Sequence, residues 1–200
     1  MPHATVFVGA ASLFSIVARA VATKRARPID KNVRAWMQRH RYDTLDIGVK
    51  PVTLLSLPPL VVSAMAVLAW RLKSQGRDRA ALAVALSPVL ASTAGQSFTT
   101  FLPQQNPPDR RVAPGRGVVE ASFPSGHVTG VLTEALTIGY VLSRERPTSR
   151  RALALLAAWP LLVATTRVYR NRHWTSDVVG GLLAGTAVAA ITTMVYEIAQ

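Results

Sequence analysis

Long stretches without a charged residue constrain this chain more than any other feature. No Lys, Arg, Asp or Glu lies between Arg79 and Asp109, and the runs 51–70 and 178–196 are also uncharged, over 20 and 19 residues. A helix needs about 20 apolar residues to cross roughly 30 Å of hydrocarbon. The runs therefore favour an integral membrane protein over a soluble helical domain.

The charged residues are mainly basic and clustered. The 200 residues include 23 Lys and Arg against 10 Asp and Glu, a formal charge of +13, while half of the chain is hydrophobic. A soluble nucleic-acid-binding protein is expected to carry more than 16% charged residues, interleaved with apolar ones, so nucleic acid is not an expected partner. The lack of cysteine excludes disulfides, thiolate nucleophiles and cysteine-ligated metals.

The hydropathy pattern predicts an all-α membrane bundle of about six transmembrane helices, forming a single domain over residues 1–200. Proline residues 58, 59 and 88 are expected to kink the second and third spans. Residues 103–114 contain four prolines and are predicted to be a loop. The predicted spans are 5–22, 51–70, 80–102, 126–142, 152–166 and 178–196.

Two segments allow two interpretations each. The N-terminal apolar run has no basic start, which favours a first membrane helix, although residues 18–20 loosely fit a signal-peptide cleavage site. Residues 24–50 are the most charged stretch. Val33, Trp36 and Met37 have the spacing of an interfacial amphipathic helix, and a solvated loop accounts for the same stretch equally well.

Six crossings divide the loops between the two membrane faces. The segment ending at Lys50, the proline-rich loop and residues 167–177 fall on one side, and two short basic loops and both termini fall on the other. The first side holds 15 Lys and Arg and the second holds 8. The positive-inside rule therefore predicts that the first side is cytoplasmic.

The start of the predicted fourth span has features of an anion site. Ser125 can cap the helix, and Gly126 lets a ligand approach the backbone N–H groups at the positive end of the helix dipole. His127 follows directly. The same residues also suit an ordinary helix start with an interfacial histidine, so this segment alone leaves both interpretations open.

The segment before the last span carries a second cluster of chemically active residues. If it is helical, His173 and Asp177 share one face at i, i+4, and the carboxylate can orient the imidazole so that Nε2 acts as nucleophile or base. Arg167 offers a fork of donors suited to phosphoryl oxygens. The alternative is a basic membrane-edge turn anchored by Trp174, which leaves Asp177 without a purpose.

Together the two clusters resemble the type 2 phosphatidic acid phosphatase family, membrane lipid phosphatases that share their pocket with vanadium haloperoxidases. The matching motifs are P-S-G-H at residues 124–127 and, 40 residues later, R-x5-H-x3-D at residues 167–177. The spacing within both motifs is intact. The resemblance also fits six helices and therefore covers most of the chain.

The resemblance implies a two-step hydrolysis that needs no metal or other cofactor. His173 would attack phosphorus and form a phosphohistidine, with Asp177 orienting it, and His127 would protonate the leaving oxygen and later activate water. Arginine and backbone donors would stabilise the charge of the phosphoryl group. The phosphate-binding residues implied by the family pattern are Ser125, Gly126, Arg167, Arg111 and Arg110.

The chain departs from the family's first motif, K-x6-R-P. No lysine occurs after Lys73, and the residues seven positions before Arg111 and Arg110 are Gln104 and Pro103, neither of which is cationic. Losing one cation would cost about 10² to 10³ in rate unless another arginine replaces it. The candidates for that replacement are Arg110, Arg116 and Arg170.

Two more positions stand out. Thr166 takes the place of the serine in the third motif and keeps its hydroxyl. Glu134, seven residues after His127, lies within the predicted bilayer, where an ionisable group is costly. It either contacts a polar group of the substrate or pairs with Thr133 or Gln96.

These features predict a multi-pass membrane hydrolase acting on polyprenyl diphosphate, phosphatidylglycerol phosphate or phosphatidic acid. The alternatives are a lipid phosphotransferase and a non-catalytic lipid-binding protein with a degenerate pocket. Since bacterial relatives generally face outward, the resemblance implies a periplasmic or extracellular site, against the positive-inside count.

Overall fold

In the computed structural model, residues 2–102, 104, 107, 121–145 and 148–199 are described, and their regular elements are all helical. Proline, glycine and polar clusters separate the helices, as the composition of the loops predicts. The eight helices in this part of the chain are α1 Pro2–Ala22, α2 Arg27–Arg39, α3 Asp43–Leu55, α4 Pro58–Ser74, α5 Asp78–Phe101, α6 Gly126–Glu145, α7 Arg150–Tyr169 and α8 Thr175–Ile198.

Apolar length supports four or five membrane spans among the described helices. Helices α1, α5, α7 and α8 are long and apolar enough to cross a bilayer, and α3 with α4 is a fifth candidate if the bent pair counts as one span. The predicted fourth span exists as α6, with 20 residues, but is not among these candidates. Length and apolarity alone therefore identify four or five of the six predicted spans in the described helices.

The predicted second span, residues 51–70, is two helices instead of one. Pro58 begins α4, where a missing N–H is tolerated, and α3 and α4 meet at an angle of 46°. A kink was expected at this position, but the chain instead has a break between α3 and α4 that contains Ser56. Pro88 lies inside α5 without ending it.

Helix α8 packs against α1, α5 and α6. Its glycines allow the close approach to α6, since a Cβ on Gly181 would stand 2.9 Å from the Ser125 carbonyl oxygen and one on Gly185 would stand 2.8 Å from that of Thr129. The Thr133 hydroxyl also donates to the Gly185 carbonyl oxygen at 3.2 Å. These contacts hold the first turns of α6 and α8 in one place.

The two ambiguous segments are both helical. Helix α1 lies along α8, with Phe14 packed in a cluster with Phe123. Helix α2 packs against α7 and α8, turning Val33 and Met37 towards apolar side chains while Trp36 stays exposed. Of the two interpretations of residues 24–50, an amphipathic helix is therefore the correct one for α2.

The described helix ends divide between the two ends of the bundle as predicted. His3 of α1 contacts Tyr140 of α6 and Thr193 of α8, and Arg77, before α5, contacts Glu145 of α6. The chain termini and the loop between α4 and α5 therefore share one end, which we call the paired end. The starts of α6 and α8 lie at the opposite end, the site end.

Candidate active site

The first turn of α6 is fixed against α8 at the site end. The Ser125 backbone N–H donates to the Asp177 carbonyl oxygen at 3.0 Å, and the Ser125 side chain is fully buried. Its hydroxyl oxygen has no hydrogen-bond partner among the described residues. A Cβ on Gly126 would meet nothing within 4 Å, so the N–H groups of this turn remain open to an anion.

His173 and Asp177 lie close together, but not on one helix face. Helix α8 begins at Thr175, so His173 belongs to the preceding turn and the expected helical i, i+4 pair is wrong in that respect. His173 Nδ1 is 3.5 Å from Asp177 Oδ2, beyond hydrogen-bond distance. The same Oδ2 accepts the Trp174 N–H at 2.8 Å, so the carboxylate caps α8 and also faces the imidazole.

Gln104, which occupies the position of the lysine in the family's first motif, binds the second carboxylate oxygen of Asp177. Gln104 Nε2 donates to Asp177 Oδ1 at 2.7 Å, and Asp177 is completely buried. A buried carboxylate needs such donors. Gln104 therefore fixes the carboxylate that faces His173 and does not supply positive charge.

A further carboxylate supports this arrangement from α2. Asp30 accepts hydrogen bonds from the Ser176 N–H at 2.8 Å and the Ser176 hydroxyl at 2.7 Å. Burial raises the pKa of Asp30, although the hydrogen bonds from Ser176 oppose that shift. The amphipathic helix is thereby tied to the start of α8.

Arg167 approaches the site from the last turn of α7. Its Nη2 donates to the Ser56 hydroxyl at 2.6 Å, and its Nε has no hydrogen-bond partner within the described ranges. The side chain is only 6% exposed. The Arg167 carbonyl oxygen accepts the N–H groups of Arg172 and His173 at 2.9 and 3.3 Å, which links the arginine to the histidine turn.

The remaining predicted residues have different positions. His127 follows Gly126 and lines a cavity between α4, α5 and α6. The Thr166 hydroxyl donates to Val163 of its own helix at 2.7 Å, and Arg170 donates to Thr53 of α3 at 3.0 Å. Arg110, Arg111, Arg116 and Pro103 lie outside the described residues.

Three groups that the sequence analysis did not assign also belong to the site: Gln104, Asp30 and Ser56. The position of Gln104 seven residues before Arg111 was a usable signal, and Asp30 is an isolated acid in a basic segment. Ser56 has no comparable signal, because it lies in an uncharged run and reaches Arg167 only through the break between α3 and α4.

The arrangement suits a tetrahedral oxyanion. The Ser125 hydroxyl and the Arg167 Nε are buried polar groups without a hydrogen-bond partner in the described part of the chain, and His173 lies on the same end with its Nδ1 towards Asp177. Buried groups of this kind are normally satisfied, and a phosphate offers several acceptor oxygens to an arginine and to helix N–H groups. No cluster of three or more potential metal ligands occurs among the described residues.

The chain resembles known proteins in sequence and in fold. The sequence model of the PAP2 superfamily matches residues 60–199. A relative from Escherichia coli (strain K12), named "Putative undecaprenyl-diphosphatase YbjG", is 33% identical over 140 residues. That alignment covers 66% of this chain and 63% of the relative, so it spans less than two thirds of the relative's length.

Two crystal structures share the fold. A transmembrane PAP2 type phosphatidylglycerolphosphate phosphatase from Bacillus subtilis superimposes with a TM-score of 0.78 and 20% identity, over 97% of both chains. LpxE from Aquifex aeolicus superimposes with a TM-score of 0.61 and 20% identity, over 82% of this chain and 93% of that one.

Proposed function

Since this chain belongs to the PAP2 superfamily, we propose that it is a multi-pass membrane hydrolase that removes phosphate from a lipid phosphate or diphosphate. The observation that carries the proposal is a pair of buried groups without hydrogen-bond partners among the described residues, the Ser125 hydroxyl and the Arg167 Nε, at the end of an apolar bundle where His173 lies beside Asp177. A lipid anchored in the bilayer would present its phosphate at that level. Polyprenyl diphosphate, phosphatidylglycerol phosphate and phosphatidic acid all meet this requirement.

In the proposed reaction, Nε2 of His173 attacks phosphorus and the bond to the leaving oxygen breaks. His127 gives its proton to that oxygen, and the lipid product leaves as an alcohol, or as a monophosphate from a diphosphate. A water molecule activated by His127 then cleaves the phosphohistidine and releases inorganic phosphate. After a small movement, Asp177 Oδ2 can accept a hydrogen bond from the Nδ1–H of His173, since catalytic hydrogen bonds often tighten when substrate binds.

The other site residues would stabilise the negative charge on phosphorus. Arg167, Ser125 and the Gly126 N–H would hold the equatorial oxygens, and such positioning with charge stabilisation is the main contribution of a protein to phosphoryl transfer. Arg111 and Arg110 are proposed to complete this group from the undescribed loop.

The proposed architecture is a single domain with six crossings, α2 lying at the membrane interface. The crossings are α1, α3 with α4, α5, α6, α7 and α8. Helix α6 contacts α4, α5, α7 and α8, so neighbouring helices cover much of its polar surface and it need not be as apolar as its neighbours. The exposed Trp36 on α2 suits the headgroup level.

We also propose that the site faces the outer side of the membrane. Bacterial members of the family generally face outward, and discounting the three basic residues assigned to phosphate binding, Arg110, Arg111 and Arg167, reduces the positive-inside excess of the site side to 12 against 8. The cysteine-free chain permits a direct test with an impermeant thiol reagent. Lys31→Cys should be labelled in intact cells and Gln75→Cys should not; the reverse pattern would place the site in the cytoplasm.

Purified protein in detergent tests the activity. Wild type should release inorganic phosphate from at least one of the three lipids, and His173→Ala should lose about 10³-fold or more of that rate because the nucleophile is gone. His40→Ala, which changes an exposed histidine of the same end, is the matched control and should retain full activity. The proposal fails if wild type hydrolyses no lipid phosphate or if His173→Ala is as active as wild type.

A further inference from the structure

A cavity of about 80 Å³ extends from the site end into the bundle between α4, α5 and α6. Its walls on α4 and α5 are largely apolar, and α6 supplies both of its ionisable side chains, His127 and Glu134. Since His127 lies at the α6 start and Glu134 lies deeper, the cavity connects the proposed phosphate site with the interior of the bundle. Its lining includes Val61, Val62, Ala91, His127, Gly130 and Glu134.

Glu134 is a costly residue in this position. Its side chain is only 6% exposed, and its Oε2 has no hydrogen-bond partner among the described residues. The pairing with Thr133 considered from the sequence is wrong, because that hydroxyl donates to Thr129 and Gly185 instead. A buried carboxyl group without a partner is strongly disfavoured in an apolar environment.

The depth of the carboxyl group can be read from α6. The Glu134 Cα lies seven residues, or about 10 Å, beyond that of His127 along the helix. Helical side chains lean back towards the N-terminus, and Glu134 Oε1 is 3.9 Å from the position that a Cβ of Gly130 would take. The carboxyl group is therefore level with Gly130, roughly one turn or 5 Å inward from His127.

At that depth, lipid phosphates differ in chemistry. A glycerolipid has the hydroxyl or ester oxygens of its glycerol backbone next to the phosphate, whereas a polyprenyl phosphate has only hydrocarbon there. A carboxyl group accepts a hydrogen bond from a hydroxyl when ionised and donates one to an ester carbonyl when protonated. A prenyl chain would leave Glu134 buried and unpaired.

We propose that Glu134 and the cavity around it form a specificity subsite for the glycerol backbone, which makes glycerolipid phosphates the preferred substrate class over polyprenyl phosphates. The inference rests on the proposed phosphatase function. Glu134 is not assigned any step in bond breaking; it selects the lipid by pairing with oxygens next to the scissile phosphate.

The test compares dioleoyl phosphatidic acid with farnesyl phosphate, two monophosphates that differ in the backbone, on the purified full chain. Wild type should favour phosphatidic acid in kcat/KM. Glu134→Leu should lose about tenfold for phosphatidic acid, mainly through KM, because one buried hydrogen bond is lost, and should keep its rate on farnesyl phosphate. Glu134→Gln keeps hydrogen bonding and should stay close to wild type on both substrates.

Thr93→Ala is the matched control, since Thr93 lies on α5 outside the cavity lining and its hydroxyl donates to its own helix at 2.8 Å. It should leave the substrate ratio unchanged. The subsite is refuted if Glu134→Leu lowers both rates equally, if it changes neither, or if wild type prefers farnesyl phosphate, a result that needs no variant to fold. Hydrolysis of neither lipid would instead count against the phosphatase function itself.

Discussion

The two ends of the bundle use similar polar residues in opposite ways. At the paired end, Glu145 accepts hydrogen bonds from Arg77 and from the Tyr196 hydroxyl, and Glu197 accepts from Tyr140 at 2.6 Å and Arg144 at 3.1 Å. Acids and bases from different helices thus satisfy one another. This pairing holds helix ends together, and no buried side-chain atom of this end lacks a hydrogen-bond partner among the described residues.

At the site end, the polar groups are buried without complete pairing. Within the described ranges, the buried side-chain atoms that lack a partner belong to Ser125, Glu134, Arg167, His173 and Thr175, and none belongs to the paired end. The fold therefore tolerates unpaired groups only where we place the substrate. Buried polar atoms without hydrogen-bond partners therefore indicate the functional end of this bundle better than the number of charged residues does.

Among variants that compare the two ends of the bundle, loss of the Arg167 side chain should lower catalytic activity the most. Arg167→Ala should lower kcat/KM on the preferred lipid by about 10² to 10³, because a donor to the transition-state oxygens is lost. Arg167→Lys should recover only part of that loss, since a point charge does not reproduce the guanidinium fork. Phosphate release and thermal unfolding in detergent measure both consequences.

The paired end provides the control for this variant. Arg144→Ala removes an arginine that already has a carboxylate partner and should leave kcat/KM unchanged. Arg167→Ala should lower the melting temperature only slightly, because it removes the hydrogen bond to Ser56 but also a buried cation that has no acidic partner among the described residues. If Arg144→Ala and Arg167→Ala lost equal activity, the functional difference between the two ends would be contradicted.

Gln104 should have an intermediate effect. Gln104→Ala leaves the buried Asp177 Oδ1 without a donor at a cost of about 1 to 2 kcal/mol, which corresponds to a fall in kcat of roughly 5- to 30-fold with little change in KM. Gln104→Lys restores a donor at the same position and should recover most of the rate. A change in KM alone would show that Gln104 contacts the lipid and does not position Asp177.

The smallest effect on catalysis is expected from the paired end. Glu145→Gln weakens the contact with Arg77 and should lower the free energy of unfolding by about 1 kcal/mol, while kcat and KM stay the same. Thermal unfolding in detergent and phosphate release, measured on the same sample, separate the two properties. A fall in kcat without loss of stability would mean that the paired end communicates with the site.

Much of the helical framework was predictable because a bilayer permits few alternatives. Helices α6 and α8 extend the predicted spans by only a few residues, since largely apolar segments of this length must satisfy their backbone hydrogen bonds internally in a bilayer. The span 51–70 was predicted wrongly as one helix. Whether the prolines at 58 and 59 kink or break a helix depends on tertiary contacts at the break, such as the hydrogen bond from Arg167 of α7 to the Ser56 hydroxyl.

The sequence by itself determined that the chain is a helical membrane protein and that Ser125, His127, Arg167, His173 and Asp177 form its chemical signature, because hydropathy and motif spacing are local properties. Only the tertiary structure decided how those residues are supported. The Ser56–Arg167 and Asp30–Ser176 contacts join residues 111 and 146 positions apart. Such contacts arise from the packing of α2, α3, α7 and α8, and packing is a property of the whole bundle that no local pattern contains.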